Sequence, residues 1–134
     1  MEIIRYIKRG GIMGVFLTNK EKDVSMGYLS FGFIRQSIAN AYDEKIGVLY
    51  RKMYNPLFEN YTDEENKYLD EHLPKYLDKF LYHSDSDGHF CVRDVKGIYK
   101  ELIKLKPIFH RDDFDKKYND LLELFSQSKR IDIY

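Results

Sequence analysis

Between His83 and Phe90 the chain reads His-Ser-Asp-Ser-Asp-Gly-His-Phe, with helical periodicity on both sides. Acidic side chains alternate through this run, a glycine ends it, and an apolar residue follows two positions later. That is the outline of a helix–loop–helix cation loop, which places oxygen ligands at positions 1, 3 and 5, glycine at 6 and a carboxylate at 12. Counted from His83, Asp85 and Asp87 take positions 3 and 5, Gly88 position 6, Phe90 position 8 and Asp94 position 12. Two positions depart from the pattern: His83 replaces an oxygen ligand, and Asp94 is one methylene shorter than the usual glutamate. Imidazole nitrogen is a poor match for calcium. The ion reading is therefore weak calcium binding through Asp85, Asp87 and Asp94. The competing reading needs no cofactor: Asp87-Gly88 makes a tight turn, the aspartates bond loop amides, and Phe90 anchors the loop, with His83 and Gly88 as structural members.

Composition narrows the classes further. Of 134 residues, 43% are hydrophobic and 16% aromatic, the latter from 12 Tyr and 9 Phe, enough for one real core. Lys and Arg total 22 against 22 Asp and Glu, so no global field draws the chain to nucleic acid or to an anionic membrane. The lone Cys91 cannot form an internal disulfide, which fits a reducing cytosol. No apolar run approaches a membrane-spanning length. The stretch Met1–Ile12 carries Arg5, Lys8 and Arg9 among short apolar runs and ends in Gly10-Gly11. It reads as an extension outside the core of a 1–134 domain, not as a signal peptide.

The periodicity predicts an α+β fold, mostly helical. Gly14–Leu17 and Val24–Leu29 form a hairpin, and Arg130–Tyr134 returns as a third strand beside it. Ser30 caps a helix over about 31–42, a second helical period runs from Ile46 to Tyr54, and Pro56 stops it. Thr62-Asp63-Glu64-Glu65 is a capping box opening a helix to about His72. Pro74 suits the first turn of the next helix. Val92, Val95, Ile98, Tyr99, Leu102, Ile103 and Leu105 give the strongest amphipathic pattern, closed by Pro107, and Phe114 to Phe125 mark a last helix. Asp112 and Asp113 suit its positive N-terminus.

No phosphate loop, nucleophile elbow or paired-histidine helix is present. His83, His89 and Cys91 lack a fourth ligand for a zinc site, and His72 and His110 suit surface positions. Cys91 with His89 is the nearest approach to a thiol enzyme, against the simpler reading of a cap-region cysteine. The expectation is a non-enzymatic protein. From Glu59 to Asp78 acids outnumber bases, so Glu64, Glu65, Asp70 and Glu71 with Tyr61 and Tyr68 form a candidate face for a basic protein surface. The plainer alternative is a solvated acidic helix.

Three segments carry a family resemblance: Met13-Gly14-Val15-Phe16-Leu17, then Gly27-Tyr28-Leu29-Ser30-Phe31 through Phe33–Ala39 and Ile46–Tyr50, and finally Phe80–Gly88 with its His-Ser-Asp-x-Asp-Gly core. Together they make the chain resemble the immunity protein 70 family of bacterial polymorphic-toxin immunity proteins, over about residues 13–105. The family pattern has Glu after the loop glycine, where this chain has His89. The resemblance implies a small cytoplasmic protein that binds and neutralises one cognate toxin domain by occlusion, without catalysis. The alternative carried forward is a calcium-responsive module using the loop at 83–94. Neither reading specifies the oligomeric state.

Overall fold

The computed structural model describes residues 14–134, so the proposed extension at 1–12 lies outside the described residues. Strands β1 (Gly14–Thr18) and β2 (Asp23–Gly27) pair antiparallel, with Phe16 opposite Ser25 and Leu17 opposite Val24. The Asn19 carboxamide closes their turn by accepting from the Glu21 and Lys22 amides at 2.8 and 2.7 Å. Helices α1 (Tyr28–Tyr42) and α2 (Glu44–Lys52) follow as a hairpin. Then come α3 (Asp63–His72), α4 (Lys75–Leu81), strand β3 (His89–Phe90), α5 (Val92–Leu102), α6 (Asp112–Gln127) and strand β4 (Ile131–Ile133). The sheet order is β2-β1-β4-β3, antiparallel throughout. The protein is α+β and mostly helical, as its periodicity predicts.

Three boundaries differ from the sequence expectation. The second strand ends at Gly27 rather than Leu29, and α1 begins at once with Gly27 as its N-cap. Ser30 therefore lies inside the first turn and caps nothing. An apolar residue need not be buried: Leu29, 78% exposed, belongs to the outer face of a helix, not to a strand. The sheet also has a strand that alternation does not reveal. Two residues, His89 and Phe90, pair with Asp132 and Ile131 of β4, and the Ile133 amide donates to Gly88 O at 2.9 Å. Finally, α5 stops at Leu102, ahead of Pro107, and Val92 and Ile103 at its two ends are exposed.

The capping box forms as read: Glu65 N donates to Thr62 Oγ1 at 3.1 Å and Thr62 N to Glu65 Oε1 at 2.8 Å. Asp43 caps α2 by accepting from the Lys45 and Ile46 amides. A continuous core joins one face of the sheet (Val15, Leu17, Val24, Ile131, Ile133) to the inner faces of α1, α4, α5 and α6. Helix α3 contributes no buried residue to it.

Close helix packing rests on glycine where α5 meets α4. A Cβ at Gly97 would lie 2.3 Å from Cγ and Cδ2 of Tyr76, atoms near the root of that ring. Alanine in a helix interior ordinarily gains about 1 kcal/mol over glycine. Here overpacking of about 1–3 kcal/mol opposes that gain. Gly97→Ala is expected to lower the urea midpoint instead of raising it, and an unchanged or higher midpoint would refute the close contact.

Candidate functional site

The acidic loop is built from the end of α4. There the Arg35 guanidinium, buried on α1, donates from Nη1 to the carbonyls of Phe80 (3.1 Å) and His83 (2.8 Å). A cation is thus already fixed at the loop entrance, where helix carbonyls concentrate negative charge. His83 sits with its ring centroid 4.5 Å from that of Phe90, and its Nδ1 lies 2.8 Å from Ser84 O. Gly88 has φ +98, and a Cβ there would come within 3.0 Å of His83 Cε1. The glycine therefore serves both the left-handed turn and the seat of the imidazole. Phe90 anchors the far side in the core.

The three loop carboxylates have separate surroundings. Asp85 is half-buried and Asp87 exposed. Asp94 is buried in the first turn of α5 and takes Lys79 Nζ of α4 at 2.9 Å. Among the described residues no group of three or more His, Cys, Asp or Glu side chains is arranged to hold a metal ion. Asp94 is instead neutralised by a lysine. Cys91 is exposed at the N-cap of α5.

Burial alone would raise the Asp94 carboxyl, but the Lys79 ammonium hydrogen-bonded to it, with Cys91 beside it, outweighs burial and holds it below the ordinary 3.8. A carboxyl held low in the fold takes up protons more readily once unfolded. Its contribution is present above the ordinary value and lost as pH falls through the folded value. Urea midpoints are expected to fall as pH drops below about 4. Asp94→Asn should lower the midpoint at pH 7 and flatten that acid limb. A limb as steep in the variant as in the parent would show that Asp94 is not its source.

The candidate partner face lies on α3 and the residues leading into it. Tyr61 Oη donates to Leu49 O at 2.6 Å and lies 3.0 Å from Tyr82 Oη. Tyr68 Oη donates to Asp43 Oδ2 at 2.9 Å, with Lys45 Nζ 4.4 Å from its ring centroid. Glu65 is held by the capping box and by Lys52 at 2.5 Å. Both tyrosine hydroxyls and Glu65 thus fasten α3 to the body of the protein. Glu64, Asp70 and Glu71 remain exposed and in no ion pair among the described residues. Burial first, and then the nearby Asp70 carboxylate, push the carboxyl of Asp78 on α4 up.

Sequence reasoning does not reveal the groove beside it. Val48, Tyr54, Pro56, Arg51, Lys52 and Glu65 are among the residues lining a depression of about 720 Å³ between α2 and the start of α3. Leu57, next to Pro56, is 87% exposed. Tyr54 stands against Tyr50 with ring centroids 5.7 Å apart, and a Cβ on Gly32 of α1 would lie 2.9 Å from its hydroxyl. The only linear signal is a proline followed by an apolar residue after the helix, which reads as a stop.

No described helix is long and apolar enough to cross a membrane. No protein-family model, curated protein or solved structure matches the chain.

Proposed function

We propose that this chain is a cytoplasmic, non-enzymatic binding protein that neutralises a cognate bacterial toxin domain by covering it, as its resemblance to the immunity protein 70 family implies. The observation that carries the reading is α3. A helix that rests only two half-buried residues, Tyr68 and Leu69, on the core gains little there to offset its ordering. This one buries no residue, yet it is capped at its start and clamped by Tyr61, Tyr68 and Glu65. The clamps leave Glu64, Asp70 and Glu71 facing outward on a fixed frame. Preorganised carboxylates of this kind speed encounter with a basic surface and select against acidic ones. The partner is a protein; the acidic face repels the phosphates of nucleic acids and anionic lipids.

The test is co-expression with a candidate toxin domain, sought first in the adjacent open reading frame, joined to calorimetry on the purified pair. Survival and a one-to-one complex are expected. The triple substitution Glu64→Lys, Asp70→Lys, Glu71→Lys should weaken binding by about ten-fold or more, chiefly through slower association. Death of co-expressing cells with no measurable complex would remove the reading.

A further inference from the structure

Resting on that reading of α3 as the binding face, we infer that α3 docks on the outer face of α5 in a second copy of this chain, so that self-association covers the face until a toxin displaces it. The outer face of α5 is cationic. Helical spacing gathers Val92, Arg93, Lys96, Lys100 and Ile103 within about a third of the helix circumference, and all five are exposed. Asp94, Val95, Ile98 and Leu102 point the other way, into the protein. Both carboxylates of α5 are already matched, Asp94 by Lys79 and Glu101 by Lys104. Arg93, Lys96 and Lys100 are in no ion pair among the described residues. The fold thus leaves three unmatched cations on one helix face.

Two observations select a second copy as the occupant. The first is that the signs are balanced over the chain, 22 against 22, yet separated in space. Helix α3 exposes Asp63, Glu64, Asp70 and Glu71 against the single cation Lys67, and none of these carboxylates is in an ion pair among the described residues. Helix α4 divides the two signs: its Asp78 lies near Asp70 of α3, and its Lys79 pairs with Asp94 of α5. The second is spacing. Glu64 and Glu71 are seven residues apart, as are Arg93 and Lys100, so each pair spans two turns, about 10 Å. Helices laid side by side bring both pairs into register.

The contact is suited to be weak and reversible. The clamps at Tyr61, Tyr68 and Glu65 fix α3 beforehand, so little order is lost on docking. Val92 and Ile103, 47% and 52% exposed, bracket the cations and exclude water from the pairs they form. Exposed ion pairs are nonetheless individually weak, so a partner with a larger interface displaces the second copy. A nucleic acid could meet the α5 cations, but α3 of the same body repels its phosphates.

Sedimentation equilibrium of the full chain tests this. Self-association is expected with a Kd on the order of 0.1 mM, measured up to about 0.5 mM chain. It should weaken about ten-fold as salt rises from about 0.02 to 0.3 M. The decisive arm exchanges charge. Arg93→Glu, Lys96→Glu, Lys100→Glu on α5, and Glu64→Lys, Asp70→Lys, Glu71→Lys on α3, each give a chain with one sign on both helices. Each triple variant should stay monomeric, and an equimolar mixture of the two should associate again. All six positions are exposed, so thermal midpoints should hardly move. A parent that is monomeric at low salt, an α5 variant that still associates, or a mixture that does not would each overturn the inference. A monomeric parent that retains short single-stranded RNA, with retention lost in the α5 variant, would also overturn it and assign the cationic face to nucleic acid. The two readings fail separately. If the parent is monomeric and still neutralises the toxin, self-docking falls and the binding reading stands. If charge exchange restores association but no toxin is neutralised, self-docking stands and the immunity reading falls.

Discussion

Truncating Phe90 to alanine is expected to cost about 3–5 kcal/mol of stability. Phe90 is 1% exposed and packs on Phe80, Phe125 and His83, with ring centroids 6.4, 5.8 and 4.5 Å away. It is also half of β3, the two-residue strand that ties the acidic loop to β4. Losing the ring opens a cavity and frees the loop from the core together. A urea titration should therefore show the large loss, and amide exchange should show the Ile133 amide, bonded to Gly88 O, opening faster than the β1–β2 ladder. Phe90→Leu, which keeps most of the volume, should cost much less. A loss below about 1 kcal/mol for the alanine variant would contradict the packing described.

The second large effect is expected at Arg35. It is a cation 6% exposed, with no carboxylate partner among the described residues. Its charge is balanced by carbonyl oxygens at the end of α4 and by the Phe31 ring, 4.3 Å below the guanidinium. Its Nε has no hydrogen-bond partner. Arg35→Ala removes the bonds to Phe80 O and His83 O and leaves a cavity between α1 and α4. The expected loss is about 3–5 kcal/mol. Arg35→Lys should recover part of it, since an ammonium can reach a carbonyl but cannot lie flat on Phe31. Arg35→Met fills the space without donating, so it separates cavity from hydrogen bond. If methionine matches the parent, the two carbonyls do not need the guanidinium.

Both positions bear on how much of the molecule can be read from its linear order. The capping box at Thr62 is local chemistry, four residues that satisfy one another, and it forms as written. Likewise Ile131 and Ile133 alternate with Asp132, and the strand they predict pairs with β1. Arg35 gives no such sign. In sequence it is one more cation on an amphipathic helix, and its partners lie 45 and 48 residues away. The tyrosines of the candidate face show the same limit. Tyr61 and Tyr68 look like contact residues, yet their hydroxyls point to Leu49 O and Asp43. Which end of a tyrosine meets solvent depends on the nearest acceptor, and here that acceptor comes from α2 or its N-cap.

The acidic loop divides the same way. Its spacing alone determined a turn at Gly88 and an apolar anchor at Phe90, because both are demands of a few consecutive backbone angles and one side chain. Spacing could not determine what Asp94 does. A carboxylate at the twelfth position suits an ion or a lysine equally, and only the packing of α4 on α5 brought Lys79 to it. Order along the chain thus settled the helices, the hairpin and the returning strand, since period and capping act over a few residues. Charge pairing, the two-residue strand β3 and the apolar groove at Tyr54 were settled by three-dimensional packing, since each is made by groups that no short-range rule relates.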